Sequence, residues 1–323
     1  MKRAWVYAGQ GSQHVGMGKD FYEGSESFRK FIDSVEEIGH SNNCDFKKLM
    51  FEGPIEDLSK TENTQGCMAV FAAGVTRLLY EAGLKPDVTL GLSLGEYGAF
   101  HAAGVIDATD YIRITLYRGR VMMEAAKGLT PAMSAVLGLD SEIIEKCVEE
   151  YAAEHGSGDD SFVAATNYNC PGQTVICGCE GAVADLEEIL KGKGAKRCVR
   201  LNVSGPFHTR YMKAAGDALR AYFKDIEFKS PDMPVLLNLT GDYCNEDTDI
   251  RENLVAQVQS PVRLEAALRR LLESGVEEIV EIGPGNTLSG FIKKTAKAMG
   301  LQVKVTSIDK YEDFCRLVED SAV

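Results

Sequence analysis

The sequence contains no apolar run of the roughly 20 residues that a membrane-spanning helix requires. Its N-terminal apolar stretch follows Lys2 and Arg3 and is interrupted at Gly9, so it is too short for the core of a signal peptide. We therefore expect a cytoplasmic protein that has no membrane partner.

The sequence also lacks the cysteine patterns of zinc sites and of disulfide frameworks. Its nine cysteines are odd in number and scattered, and none of them form a C-x-x-C pair. Structural zinc sites normally use two such pairs, and disulfide frameworks normally use an even number of cysteines. We expect free thiols in a reducing compartment, with no metal and no bound cofactor.

Positive charge is scarce relative to negative charge. The chain has 35 Lys and Arg against 48 Asp and Glu, which gives a formal net charge of −13 and argues against nucleic acid as a partner. Its 323 residues, 45% of them hydrophobic, are enough to bury one large core or two smaller ones. Nothing in the sequence demands an oligomer, so we expect a monomer.

Predicted strands and helices alternate along most of the chain, which indicates an α/β fold with a mostly parallel sheet. Between residues 130 and 204 the predicted order changes to β-α-β-β-α-β, which is typical of a ferredoxin-like unit. We predict an α/β-hydrolase-like domain formed by residues 1–129 and 205–323, with a ferredoxin-like subdomain inserted at 130–204. The strands expected in the larger domain lie at 3–8, 87–91, 234–239, 278–282 and 302–307.

Residues 91–95 read G-L-S-L-G and lie between a predicted buried strand and a predicted helix. G-x-S-x-G at such a turn is typical of a nucleophile elbow, in which small residues let the chain turn sharply and expose the serine hydroxyl. The pattern also places Ser93 at a helix N-terminus, where free N–H groups stabilise developing negative charge. It favours an acyl-transfer enzyme with Ser93 as the nucleophile.

Residues 9–14 read G-Q-G-S-Q-H and directly follow the first predicted strand. The segment differs from the dinucleotide-binding pattern G-x-G-x-x-G because His14 replaces the third glycine. Two interpretations stay open beside nucleotide binding. One is a plain tight turn, and the other is a turn that presents backbone N–H groups to a ligand, as an oxyanion hole requires.

A serine nucleophile needs a base, and the chain has five histidines. His101 lies about two helical turns beyond Ser93 and is expected to point away from it. His208 lies in the loop at 204–209 that leaves the predicted subdomain, and a loop at a domain junction is well placed for a cleft. By exclusion we select His208. Many Asp and Glu residues lie between Ser93 and His208, but no sequence motif marks one of them as the acid that orients the histidine. A backbone carbonyl can orient the ring instead.

Seven short motifs in this order strongly resemble the malonyl-CoA:acyl carrier protein transacylases of fatty-acid synthesis, over about residues 4–308. The motifs are G-Q-G-S-Q at 9–13, G-L-S-L-G-E at 91–96, Arg118-Gly119, N-Y-N-C-P-G-Q at 167–173, G-P-F-H at 205–208, Gln257 four residues before Pro261-Val262, and E-I-G-P-G at 281–285.

The resemblance implies roles for five residues: Ser93 and His208 in catalysis, Gln10 and Leu94 in the oxyanion hole, and Gln257 in substrate binding. Ser93 would carry the malonyl group as an ester, and His208 would be the base, its ring held by a backbone carbonyl near Gln257. The backbone N–H groups of Gln10 and Leu94 would form the oxyanion hole. Malonyl-CoA would be the substrate, and the thiol of the phosphopantetheine arm on acidic acyl carrier protein would be the acceptor.

The resemblance also implies two residues that select the acyl group. Arg118 would pair with the free carboxylate of the malonyl group, although helical periodicity alone does not distinguish it from Arg113 and Arg120. Phe207 would leave little room for a methyl branch on the substrate. In one respect the chain departs from the family pattern, because Leu92 stands where histidine is usual.

Two other functions stay open for this chain. One is hydrolysis of acyl thioesters on the same fold. A hydrolase of long acyl chains would have no use for Arg118, so this residue distinguishes the two functions. The other is a trans-acting acyltransferase of a polyketide pathway. A carrier-protein binding module without catalysis is disfavoured, because the candidate residues Ser93, His208, Gln10 and Arg118 are all present.

Overall fold

The computed structural model describes residues 1–156, 158–201 and 205–322. Within this part of the chain there are nine β-strands. They are β1 Arg3–Tyr7, β2 Val88–Gly91, β3 Pro131–Leu137, β4 Val163–Cys170, β5 Gln173–Cys179, β6 Arg197–Leu201, β7 Val235–Leu236, β8 Glu278–Ile282 and β9 Lys304–Ile308.

The same residues form thirteen α-helices. They are α1 Lys19–Gly24, α2 Glu26–His40, α3 Ile55–Leu58, α4 Thr61–Glu81, α5 Gly95–Ala102, α6 Ala108–Ala125, α7 Ser141–His155, α8 Glu180–Gly192, α9 Lys213–Tyr222, α10 Ile250–Gln257, α11 Leu264–Glu273, α12 Thr287–Ala298 and α13 Tyr311–Ser321. None of the helices among the described residues has the length and apolar character needed to cross a membrane.

A five-stranded parallel sheet forms the centre of the larger part of the molecule, in the order β7-β2-β1-β8-β9. Alternate residues of β1 enter different cores: Trp5 packs with α2, α4 and α6, whereas Val6 packs with α11 and α12. Because helices cover both faces, the central strands β1, β2 and β8 are buried along their whole length. The α/β class and the parallel sheet predicted from the alternation are confirmed.

A second, antiparallel sheet has the order β4-β5-β3-β6, and its strands and helices follow each other as β-α-β-β-α-β. Helices α7 and α8 pack on one of its faces through residues such as Ile144 and Leu186. Two backbone hydrogen bonds join β4 to the larger part of the molecule: Tyr168 N–H donates to Val262, and Val262 N–H donates to Thr166. The division at residues 130 and 204 remains a prediction, and its second boundary lies at 202–204, outside the described residues.

One predicted strand is much shorter than expected. The apolar residues at 234–239 predicted a full strand, but only Val235 and Leu236 pair with β2. The chain turns away afterwards because Asn238 is fully buried and its backbone and side chain bond to other segments, among them Gly91 and Arg263. The other strands expected in the larger domain agree with the prediction to within a few residues.

Candidate active site

The G-L-S-L-G segment forms a sharp turn between β2 and α5. Ser93 has a φ of 52°, a left-handed conformation that a residue with a side chain adopts only where the surroundings enforce it. A Cβ added at Gly91 would overlap the backbone of Gly95, and one added at Gly95 would overlap the carbonyl of Tyr7. The two glycines are therefore required for the close approach that exposes the Ser93 hydroxyl at the end of the sheet.

Asn238, in the segment that follows β7, holds the turn. Its Oδ1 atom accepts a hydrogen bond from the backbone N–H of Ser93 at 2.6 Å, and its Nδ2 atom donates to the carbonyl of Gly91 at 2.6 Å. Leu92 N–H also donates to the carbonyl of Tyr7 at 3.0 Å. The strained serine is thus fixed by partners on both sides of β2.

His208 lies against the serine. Its Nε2 atom is 2.8 Å from Ser93 Oγ, and its Nδ1 atom is 2.9 Å from the backbone carbonyl of Gln257. A carbonyl only accepts hydrogen bonds, so Nδ1 carries the proton and the lone pair of Nε2 faces the serine. Burial, together with the nearby positive charge of Arg118, lowers the pKa of His208 to about 4. The ring is therefore neutral at pH 7 and available as a base.

Arg118 places a positive charge beside the serine, and only 1% of the residue is exposed. Its Nη2 atom donates to Ser93 Oγ at 3.1 Å and to Gln257 Oε1 at 3.1 Å, and its Nη1 atom donates to Gln65 Oε1 at 2.9 Å. The guanidinium also lies over the ring of Tyr97, with 5.5 Å to the ring centroid. Arg113 and Arg120, on the same helix, are exposed.

A buried carboxylate, Glu96, completes the polar network. Its Oε2 atom accepts from Gln257 Nε2 at 2.6 Å, and its Oε1 atom accepts from Asn238 N–H at 3.1 Å and from Asn253 Nδ2 at 3.3 Å. Burial raises the pKa of Glu96 to about 7, while these donors and the charge of Arg118 act in the opposite direction. Glu96 directly follows the G-x-S-x-G motif and lies in the first turn of α5.

Two backbone donors expected at the site, those of Gln10 and Leu94, belong to segments that touch, because a Cβ added at Gly9 would overlap the carbonyl of Leu92. Among the described residues, no hydrogen bond uses the backbone N–H of Gln10 or that of Leu94. The side chain of Gln10 is anchored instead, because its Nε2 atom donates to Thr61 Oγ1 at 2.9 Å. Such unused N–H groups near a partly exposed serine are able to stabilise an oxyanion.

The remaining predicted residues take packing positions. Phe207 is buried beside His208, and its ring lies within contact distance of a Cβ built on Gly205. Leu92 packs against the apolar core between the parallel sheet and helices α11 and α12, so an apolar side chain fits where the family pattern has histidine. His101 bonds to the carbonyl of Ile106 and is not among the hydrogen-bond partners of the serine.

Four residues of the network were not singled out from the sequence: Glu96, Asn238, Asn253 and Gln65. Glu96 and Asn238 could have been found from the sequence. Glu96 directly follows the G-x-S-x-G motif, and Asn238 interrupts the apolar run at 235–239. Gln65 leaves no signal of this kind. It lies in the second turn of α4, where it is buried, as other polar residues of this helix are.

The arrangement is therefore that of an activated serine. It has a neutral histidine as proton acceptor, unused N–H donors for a developing oxyanion, and a fixed guanidinium beside the acyl position. These are the elements of nucleophilic acyl transfer to and from a hydroxyl group.

Comparison with known proteins supports this chemistry. Residues 4–312 match the family model described as Acyl transferase domain. The malonyl CoA-acyl carrier protein transacylase of Bacillus subtilis (strain 168) is 38% identical over 298 residues, which cover 92% of each chain. The chain belongs to the malonyl CoA-acyl carrier protein transacylase family. A family member from Staphylococcus aureus (strain MRSA252) is 35% identical over 97% of each chain.

Solved structures of the family have the same fold. The malonyl CoA-acyl carrier protein transacylase of Clostridium perfringens superposes with a TM-score of 0.90 at 32% identity, over 100% of this chain and 98% of that one. A malonyl-transacylase solved in complex with a type II PKS acyl-carrier protein also gives a TM-score of 0.90, at 33% identity over 99% and 100% of the two chains.

Proposed function

We propose that this chain transfers the malonyl group from malonyl-CoA to the phosphopantetheine thiol of acyl carrier protein through a malonyl-Ser93 ester. The observation that carries the proposal is the position of Arg118, whose Nη2 atom lies 3.1 Å from the serine oxygen in a buried site. A guanidinium binds a carboxylate through two parallel hydrogen bonds, which neutral acyl groups do not offer. Membership of the family supports the same substrates.

In the first half-reaction, Ser93 Oγ attacks the thioester carbonyl carbon while its proton passes to Nε2 of His208. The carbonyl of Gln257 stabilises the resulting imidazolium through the Nδ1 proton. The N–H groups of Gln10 and Leu94 donate to the oxyanion of the tetrahedral intermediate. The carbon–sulfur bond then breaks, and CoA leaves as a thiol after taking the proton from Nε2.

In the second half-reaction, the carrier thiol gives its proton to Nε2 of His208 and its sulfur attacks the ester carbonyl. The intermediate collapses, the bond to Ser93 Oγ breaks, and the proton returns from His208 to the serine oxygen. The two thiols use the same site in turn, which gives ping-pong kinetics. All atoms and protons in the two half-reactions come from this chain and its two substrates.

Two side chains restrict the acyl group. Arg118 favours an acyl group that ends in a carboxylate, because a buried cation without an anion disfavours neutral chains. Phe207 favours malonyl over its methyl-branched analogue, although one methyl group changes the free energy by only about 1–3 kcal/mol. The proposal assigns Phe207 a preference rather than an exclusion.

Three further assignments belong to the proposal. We assign the reaction to the cytoplasm and to fatty-acid synthesis, and we divide the chain into a larger domain at 1–129 and 205–323 and a subdomain at 130–204. A polyketide pathway is a second candidate, because one relative of known structure is in complex with a type II PKS acyl-carrier protein. Transfer rates to a fatty-acid and a type II polyketide carrier protein, measured side by side, distinguish the two pathways.

The experiment that tests the function follows both products. The enzyme is mixed with malonyl-CoA and holo acyl carrier protein, and malonyl-carrier protein and free malonate are measured over time. Transfer predicts that carrier protein receives nearly all of the malonyl groups. Release of malonate at the same rate with and without carrier protein would identify a hydrolase instead.

A further inference from the structure

Glu96 is a buried carboxylate at the active site that takes part in none of the steps above. It is fully buried, and three N–H donors converge on it, from Gln257, Asn238 and Asn253. A carboxylic acid would need an acceptor for its own proton, and all three of these partners are donors. The surroundings therefore fit the ionised form of Glu96.

The carboxylate fixes the direction of the Gln257 side-chain amide. The Nε2 atom of Gln257 donates both to Glu96 Oε2 at 2.6 Å and to the Ser93 carbonyl at 2.8 Å. Its Oε1 atom must therefore face the other way, where it accepts from Arg118 Nη2 at 3.1 Å. A reversed amide would set an oxygen against two acceptors and an NH₂ group against the guanidinium.

The same amide separates the two charges. Among the described residues, no carboxylate lies within 4.0 Å of the Arg118 guanidinium, which is held by neutral oxygens of Gln257, Gln65 and Ser93. A direct ion pair would occupy the donors that an acyl carboxylate needs, whereas a buried guanidinium with no anion nearby would be costly. Glu96 stabilises the positive charge of Arg118 from the far side of the Gln257 amide and occupies none of the guanidinium N–H donors.

We infer that Glu96 is a positioning residue for acyl selection: through the Gln257 amide it orients the Arg118 guanidinium toward the acyl position without pairing with it. The inference rests on the proposed function, since it concerns an acyl group that carries a carboxylate. It assigns a role to the glutamate that follows the G-x-S-x-G motif.

Replacing Glu96 by glutamine keeps the shape and removes one acceptor. If the new NH₂ group faces Gln257, that amide must rotate, and Arg118 loses an acceptor and its orientation. If the new NH₂ group faces Asn238 instead, the hydrogen bond that is lost is one that supports the elbow. Acylation by malonyl-CoA and by acetyl-CoA would then fall equally, because both need Ser93 in position. The inference predicts the first result.

The experiment measures acylation of Ser93 by malonyl-CoA and by acetyl-CoA, separately and without carrier protein, by intact-protein mass spectrometry. For Glu96→Gln, the ratio of the second-order acylation rate constants for malonyl-CoA and acetyl-CoA should fall about tenfold or more, with most of the loss in the concentration of malonyl-CoA that gives half-maximal acylation rate. Glu281→Gln is the matched control, because Glu281 is fully buried, also accepts backbone N–H groups and lies outside this network. It should leave the ratio unchanged.

Gln257→Met removes the link while keeping the backbone carbonyl that holds His208. The inference predicts the same loss of selectivity as in Glu96→Gln and no further loss in the double variant, because both changes break one pathway. Gln257→Met also tests the inference if Glu96→Gln does not fold.

Three results would overturn the inference: equal losses for malonyl and acetyl, improved malonyl loading, or additive losses in the double variant. These results differ from a failure of the proposed function, in which the wild-type enzyme would not accept malonyl at all.

Discussion

The ring of His208 bridges Ser93 Oγ, 2.8 Å from its Nε2 atom, and the backbone carbonyl of Gln257, 2.9 Å from its Nδ1 atom. A carbonyl orients the ring, but unlike a carboxylate it carries no full negative charge that would favour protonation of the ring in the resting enzyme. Burial and the neighbouring Arg118 therefore dominate, and the pKa of His208 lies at about 4. The consequence is a base that stays neutral well below pH 7.

This consequence is testable through the pH dependence of serine reactivity. The folded-state pKa of His208 lies below its ordinary value of 6.5, so the neutral form persists as the pH falls and is lost only near pH 4. The rate of Ser93 sulfonylation by phenylmethylsulfonyl fluoride, a neutral reagent, should therefore be nearly constant from pH 8 to about 5 and halve near 4. Circular dichroism over the same range checks that the protein stays folded. A half-maximal rate near pH 6.5 would contradict this geometry.

Removing the guanidinium should change which acyl group is accepted. Arg118→Ala is expected to lower kcat/KM for malonyl-CoA by a factor of about 10 to 100, the value of hydrogen bonds to a charged group, and to affect acetyl-CoA much less. Arg118→Lys keeps the charge without the planar pair of donors and should lie between wild type and alanine. Arg120→Ala, on the exposed side of the same helix, is the control. An unchanged malonyl-to-acetyl ratio in Arg118→Ala would exclude Arg118 from acyl recognition.

The elbow glycines should be intolerant of a single methyl group. Gly95→Ala would force a Cβ into the carbonyl of Tyr7, and we expect it to lower the free energy of unfolding by about 3 kcal/mol or more. Gly290→Ala is the matched control, because Gly290 lies within α12 with nothing near the added Cβ. It should stabilise the protein by about 0.5–1 kcal/mol. Urea unfolding of both variants measures the difference, and similar values for the two would disprove the steric argument.

Asn238 should matter for the geometry of the serine. Asn238→Ala leaves Ser93 N–H and the Gly91 carbonyl without partners, at about 1–3 kcal/mol for each buried group. We expect lower stability in urea together with a lower kcat for malonyl loading. Asn238→Asp keeps the acceptor for Ser93 but faces an oxygen toward Gly91, so it should not restore the wild-type values. Wild-type kcat in either variant would show that the elbow holds its shape without this clamp.

Features that depend on residues close together in the chain could be predicted from the sequence. The alternation of strands and helices, the elbow around Ser93 and the loop that carries His208 each depend on residues close together in the chain. Arg118 is an intermediate case, because periodicity left it equivalent to Arg113 and Arg120 and only the resemblance to a family distinguished it. In the structure, the packing of α6 against α4 and α9 buries Arg118 and leaves the other two exposed.

Long-range contacts were not accessible in the same way. Asn238 bonds to Glu96 and Gly91, 142 and 147 positions earlier in the chain, and no local pattern encodes such a pairing. The error in the strand at 234–239 has the same origin. Its composition favours a strand, but the hydrogen bonds of Asn238 to the elbow draw the chain out of the sheet after Leu236.

In the proposed function, Ser93 carries the malonyl group between two thiols. The most direct measurement incubates the wild-type enzyme and Ser93→Ala with labelled malonyl-CoA in the absence of carrier protein, followed by peptide mass spectrometry. The account predicts one malonyl group per wild-type chain, on Ser93, which holo carrier protein then removes, and none on the variant. Stoichiometric labelling of Ser93→Ala, or transfer to carrier protein by that variant at the wild-type rate, would contradict it.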